Sequence, residues 1–380
     1  MRPLSSRETE LKYLISLHRL EHMEQKHLTA LMEYFGSAET AWKKYRGWGK
    51  ILSLPARRLE TMIDSRKEIQ PEKLWDYAKG LGVKFTTVKD DDYPDAFREI
   101  YDVPYLLYYF GTLPKQGRFA FTVVGARKCD SYGRDIAKKF ATDLVRRGNA
   151  AIVAGMAEGI DAAAHWAALN AGGETIAILG NGIDVIYPSI NTKLYMQLKE
   201  RGCLISEFPL GAESLKHHFP RRNRLMSALG NGVVVVEGTR HSGVFHTVSH
   251  GLEQGKEIYA VPGSVFQGLS YAPHFLIKEG TAKLITCADD ILEDFMDLET
   301  IKEIETVDDM DFSHHPPAEL RVLEALKQGP LSFDEIEKLS GLPSSKVSAL
   351  LTEWEMDDLV RQEAGRIFSL CNYVQEVSHE

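Results

Sequence analysis

The sequence predicts an α/β protein: an extended Rossmann-like parallel-sheet domain flanked by an N-terminal helical module and a C-terminal winged-helix domain. Three observations carry this. Short β-rich runs alternate with helical stretches from Phe119 to Thr286, leucines recur at helical spacing before them, and three helical patterns followed by a hairpin close the chain. A length of 380 residues leaves room for two or three compact units.

Residues 1–70 carry Leu11, Leu14, Leu17 and Leu20, then Leu28, Leu31 and Phe35, at helical spacing, punctuated by Gly36, Gly47 and Gly49. This is a small helical module, SAM-like or helix-hairpin-helix. Lys43, Lys44, Arg46 and Lys50 near those glycines leave DNA contact open beside a protein-interaction role.

Residues 71–288 form the sheet domain. After the turn cluster Asp90-Asp91-Asp92, the aromatic run Tyr105 to Phe110 predicts a strand. The runs Phe121 to Val124, Ala151 to Ala154, Thr175 to Leu179, Cys203 to Ser206, Val233 to Val236 and Ile258 to Val261 then predict parallel strands covered by helices on both faces. Ligands of such sheets bind at the carboxyl ends of the strands. Residues 289–312 are too acidic to build a core and predict a linker. In 313–380, helical patterns at Ala318 to Lys327, Phe333 to Leu339 and Ser344 to Asp357 precede a hairpin from Leu359 to Leu370 with Gly365 at its turn, the order of a winged helix.

Charge is divided unevenly along the chain. The net value is −9, yet Asp289 to Asp311 holds 11 acids and one lysine, and Phe312 to the end holds 12 acids and 6 bases. Everything before Asp289 has 31 acids against 38 bases, a balance that suits a polyanion. The third helix of the winged-helix module has Lys346 against Glu353, Glu355, Asp357 and Asp358, so it is expected to contact protein or to compete for a basic groove rather than read DNA.

Other classes find little support. No 18-residue apolar run and no charged-then-apolar leader occur, which predicts a soluble, cytoplasmic protein. Cys129, Cys203, Cys287 and Cys371 lie far apart, without a C-x-x-C pair, and read as reduced. His246 and His250 share a helix face, but Thr247 stands where a zinc protease has glutamate, so no metal is expected. No nucleotide-binding glycine signature appears, and no cofactor is expected.

The loop Gly125 to Gly133 enters a helix with Arg127 and Lys128 beside it, which fits either an anion site or a helix cap with solvated basic residues. Glycines in Gly155 to Gly159 and Gly180 to Gly182 let a backbone or ligand approach, as tight turns also require; Asp161 could cap its helix. Lys216-His217-His218-Phe219-Pro220-Arg221-Arg222-Asn223-Arg224 sets an aromatic among cations at a helix head. Arginine forks suit phosphates and Phe219 offers a stacking face, a single-strand binding pattern whose plain alternative is a solvated helix start. Glu237, Ser242 and Gly243 follow the fifth of these parallel runs at the ligand edge.

Taken together, Gly125-Ala126-Arg127, Gly155 with Gly159-Ile160-Asp161, Leu179 to Pro188, Ser206-Glu207, Phe219 to Arg224 and Val261-Pro262-Gly263-Ser264 resemble the DprA (Smf) family of DNA-processing proteins, in order through the central domain. The resemblance implies a non-enzymatic protein that binds and protects single-stranded DNA, loads the RecA recombinase in natural transformation and recombination, and forms a homodimer through the central domain. It implies a pocket at Arg127, Gly155, Lys216, Phe219, Arg222, Asn223 and Arg224. With the residue-level reading, the candidate DNA-binding set is Arg127, Lys128, Gly155, Lys216, Phe219, Arg221, Arg222, Asn223, Arg224, Ser242 and Gly243. The alternative is a nucleotide or glycosidic-bond hydrolase using Glu237 or Glu207 with Arg127. Departures from the family pattern are Ala154 for serine, Glu158 for arginine, Ser242 to Val248 for S-G-S-L-I-T-A, and Tyr271-Ala272-Pro273-His274 for an asparagine-containing helix start. A negative charge at Glu158 repels phosphate if it faces the groove.

Overall fold

A computed structural model describes residues 4–114, 117–296, 312, 315–356, 359–363 and 365–370. Residues 1–302 and 303–380 form two compact units.

The first unit opens with α1 (Ser6–His18), α2 (Gln25–Phe35), α3 (Ala38–Lys43), α4 (Ala56–Ser65) and α5 (Pro71–Leu81). Ser5 starts α1 with a reciprocal cap, its hydroxyl accepting from the Glu8 N–H while the Glu8 carboxylate accepts from its own. An antiparallel pair follows, β1 (Lys84–Thr87) and β2 (Leu106–Gly111), with the short α6 (Asp95–Arg98) between them. The alternating part then runs β3 (Ala120–Val124), α7 (Ser131–Gly148), β4 (Ala151–Ala154), α8 (Ile160–Asn170), β5 (Thr175–Leu179), α9 (Thr192–Arg201), β6 (Cys203–Ser206), α10 (His218–Leu229), β7 (Gly232–Val235), α11 (Val244–Glu253), β8 (Glu257–Ala260), α12 (Tyr271–Lys278), β9 (Lys283–Leu284) and α13 (Asp289–Leu292).

Among the described residues, nine strands make one sheet in the order β1-β2-β6-β5-β4-β3-β7-β8-β9. Neighbours from β6 to β9 are parallel, and β2 joins β6 antiparallel. From β3 the chain steps one way through β4, β5 and β6 and the other way through β7, β8 and β9. Such a reversal opens a crevice at the carboxyl ends of the strands.

Both faces of the sheet are covered because successive side chains alternate sides and both sides are apolar. Val153, Ile178, Ile205 and Val235 pack under α6, α10, α11 and α12. Ile152, Val234 and Tyr259 pack under α7, α8 and α13. Ala177, Leu179 and Leu204 pack against the N-terminal helices, in one core with Leu14, Leu17, Leu28 and Trp48.

Two features differ from the sequence expectation. The N-terminal helices share their core with the sheet instead of standing apart at residue 70, because periodicity marks an apolar stripe without saying what it packs on. Residues 289–296 are no linker: Ile291 and Leu292 are fully buried beneath α7, an apolar side hidden by the acid count. The rest of that acidic segment, 297–311, lies outside the described residues, as does Cys371.

The second unit contains α14 (Pro317–Gln328), β10 (Leu331–Ser332), α15 (Phe333–Ser340), α16 (Ser344–Met356), β11 (Val360–Glu363) and β12 (Ile367–Leu370), with sheet order β10-β12-β11. Val322, Leu326, Ile336, Val347, Leu351, Trp354 and Phe368 fill its core. This is a winged helix.

Candidate functional site

The carboxyl ends of β3, β4 and β5 meet at one recess, lined by Arg127, Gly155, Met156, Ala157, Glu158, Gly180, Asn181, Tyr187, Pro188 and Phe219. The loop after β3 presents Arg127 and Lys128 to solvent. It is held at its far end by Asp130, whose carboxylate accepts from the Gly133 N–H at 2.9 Å and caps α7. It is also held from the side by Gly159, at φ 78, where a Cβ would sit 2.3 Å from the Ala126 carbonyl oxygen and 2.4 Å from that of Arg127.

Phe219, in the first turn of α10, lies across the recess. The Arg127 guanidinium sits over its ring at 4.9 Å, and the half-exposed Tyr187 ring is 5.8 Å away. The ring therefore orients the exposed cation as well as offering surface to a ligand.

Of the candidate set, the structure brings Arg127, Gly155 and Phe219 together in the recess. Lys128 and Lys216 are exposed nearby in sequence but do not line it, and Ser242 and Gly243 open α11. Arg221 is partly exposed, 3.5 Å from Glu207 and 3.7 Å from Asp102. The Asn223 side-chain oxygen accepts from Arg222 at 3.1 Å.

Arg222 and Arg224 must be corrected. Arg222 is 4 % exposed and points under the recess, where its guanidinium donates to the carbonyls of Gly155 and Ile178 at the ends of β4 and β5. A Cβ on Gly155 would come within 2.3 Å of that guanidinium. Burial lowers the Arg222 pKa to about 10, so it stays charged at neutral pH, a cation beneath the floor that does not line the recess. Buried Asp161 faces this charge and accepts from the N–H groups of Gly155 and Ala157, so it ties down the loop before α8 rather than capping the helix. Burial raises its pKa, and the Arg222 charge opposes that rise. Arg224, 7 % exposed, pairs with the buried Glu207 carboxylate at 2.7 and 2.9 Å. Both arginines were candidates because a guanidinium fork fits phosphate, but it fits carbonyls and carboxylates equally well.

Glu237 follows β7, is 3 % exposed, and faces Asp130 and Gly133 at the first turn of α7 rather than an arginine. Burial, with the Asp130 carboxylate adding to it, pushes its pKa up to about 7. Neither Glu237 nor Glu207 lines the recess; the carboxylate that does is the exposed Glu158. Sequence reasoning missed Tyr187 as a site residue, although its place just after the Gly180 to Gly182 turn was a signal. His165 is buried against Thr175 at 2.6 Å. Among the described residues, no helix is long and apolar enough to cross a membrane.

The chain thus joins an α/β sheet, with a basic, aromatic recess at the carboxyl ends of β3, β4 and β5, to a winged-helix unit, and comparison with known proteins says which family has this organisation. The family described as DNA recombination-mediator protein A matches residues 84–296, and the DprA winged helix domain matches 313–366. The DNA processing protein DprA of Streptococcus pneumoniae is 42% identical over 209 residues, 55% of this chain and 73% of its own. Protein Smf of Synechocystis is 29% identical over 371 residues, 89% of this chain and 93% of its own. The X-ray structure of the pneumococcal protein superposes with a TM-score of 0.64 at 33% identity, covering 75% of this chain and 98% of that one. The structure of DNA processing protein A from Helicobacter pylori, described for its single-stranded DNA binding mode, shares the fold at a TM-score of 0.50 and 24% identity, covering 58% of this chain and 98% of that one. The chain belongs to the DprA/Smf family of DNA-processing proteins.

Proposed function

We propose that this protein binds single-stranded DNA without sequence preference across the carboxyl edge of its sheet, protects incoming strands, and loads the RecA recombinase on them during natural transformation and recombination. One observation carries the reading: an exposed arginine held over an aromatic ring, with a second aromatic beside it and a buried cation beneath. A base stacks on such rings while the cations draw the backbone, and neither contact depends on sequence. Membership in a recombination-mediator family supports the RecA step, and the subject of the Helicobacter pylori structure supports the choice of single strands. Hydrolysis is the weaker reading, since Glu207 is committed to Arg224 and Glu237 is buried away from the recess.

A homodimer through the central domain is part of the proposal. It is supported by an exposed apolar strip of Val265, Phe266, Tyr271 and Phe275, with Phe266 96 % exposed, next to the end of the sheet.

Titration of a fluorescent oligothymidine at several salt concentrations, with duplex competitor, tests the site. Arg127→Ala and Phe219→Ala should each weaken binding about tenfold or more, in line with roughly 1–3 kcal/mol per stacked base. Unchanged binding in both variants would place the DNA elsewhere.

A further inference from the structure

A second cationic surface lies on the N-terminal helices. Between Glu39 and Glu60 the chain has six basic residues and no acid, in a protein of net charge −9. Lys43 is paired with Glu39 at 2.6 Å. Lys44, Arg46, Lys50, Arg57 and Arg58 are all exposed, and none has an ion pair among the described residues.

The fold gathers these five charges. Trp48 is fully buried and its indole N–H donates to the Ala41 carbonyl at 3.0 Å, which pins the short 3₁₀ turn segment Tyr45–Lys50 while Arg46 and Lys50 on either side stay in water. Gly49 packs on Leu59, where a Cβ would meet the leucine side chain at 3.1 Å, so the turn abuts the start of α4, the helix that carries Arg57 and Arg58. Like charges so placed repel one another, and a polyanion offsets that repulsion.

We propose that this surface binds the phosphate backbone of the same nucleic-acid strand that occupies the recess, lengthening the footprint on DNA; the proposal rests on the single-strand reading of that recess. Three of the five cations are arginines, whose fork suits phosphate. An anionic membrane fits less well, because none of the exposed large apolar side chains falls between residues 38 and 67, and surface-lying segments anchor through such side chains.

The test uses the full chain, the fivefold variant K44Q/R46Q/K50Q/R57Q/R58Q and the pair R57E/R58E, with Arg127→Ala as the recess control. Each is titrated with oligothymidines of about 6 and about 40 nucleotides, lengths chosen to fill one site or to run past it. The fivefold variant should bind the short strand like the parent and the long strand about tenfold or more weakly, with the salt slope on the long strand reduced by about 0.7 per lost phosphate contact. R57E/R58E should shift in the same direction and keep the parent's thermal midpoint, since both side chains are exposed. Equal affinity and equal slope of parent and both variants on the long strand overturns the proposal. So does parent binding to phosphatidylserine vesicles that the fivefold variant loses while its DNA affinity stays unchanged. Short-strand binding that survives Arg127→Ala would instead count against the recess itself, a distinguishable failure.

Discussion

The loop after β3 and the head of α10 carry similar side chains and do different jobs. Arg127 stands in solvent over Phe219, whereas Arg222 and Arg224, three and five residues past that same phenylalanine, are inside the protein. The difference lies in what each guanidinium can reach. Among the described residues Arg127 has no ion pair, while Arg222 reaches two strand-end carbonyls and Arg224 reaches Glu207. One group presents charge to solvent at the mouth of the recess, and the other braces the strand ends that shape it.

Removing a brace should have the largest effect. Arg222→Ala strands the Gly155 and Ile178 carbonyls and leaves Asp161 without its cation, so it should cost about 3–5 kcal/mol in denaturant unfolding, whereas Arg127→Ala should cost less than about 0.5. The geometry allows a sharper form of the comparison. Gly155→Ala drives a methyl into the guanidinium of the intact protein but has room once Arg222 is alanine, so the double variant should be more stable than the two single losses added together. Simple additivity would mean that Arg222 does not sit under Gly155 in solution.

That contrast also shows what was legible beforehand. Six of the seven parallel strands among the described residues could be read almost to the residue, because a strand buried on both faces is a short continuous apolar run bounded by turn residues; the two-residue, exposed β9 has no such run. Arg127, Gly155 and Phe219 could be read because they sit where strands end. The burial of Arg222 and Arg224 could not, since their partners come from other strand ends and from positions such as Asp102, 122 residues before Arg224. Nor could the fusion of the N-terminal helices with the sheet, which depends on pairings such as Gln25 with the carbonyls of Leu106 and Glu207.

The presenting loop has its own anchor, smaller in effect and dependent on pH. Glu237 holds its proton up to about pH 7 when folded and loses it near 4.5 when unfolded, so its contribution is whole in acid and falls as pH rises through 7. Buried His18 and His165, both lowered to about 3, slope the other way: they favour the folded state above pH 6.5 and lose that contribution as pH drops. Comparing Glu237→Gln with the parent cancels the histidines. The variant should gain about 1–3 kcal/mol, growing between pH 4.5 and 7 and then level, in urea unfolding at each pH. A gain that does not vary with pH would assign the effect to packing instead.

The smallest effect belongs to Glu158, the acid that lines the recess among the described residues. Glu158 is exposed and lines the recess opposite the logic of Arg127, so it opposes a phosphate backbone without contributing to the fold. Glu158→Gln should tighten oligothymidine binding by about two- to fivefold at low salt, because exposed charges in water interact weakly. The gain should fade as salt is raised and the Debye length shrinks towards the width of the recess. Unfolding should not change, which separates this residue from the braces. A variant that binds no tighter at any salt concentration would mean that the strand passes the recess on the α10 side, over Phe219 and Tyr187, and leaves the loop after β4 untouched.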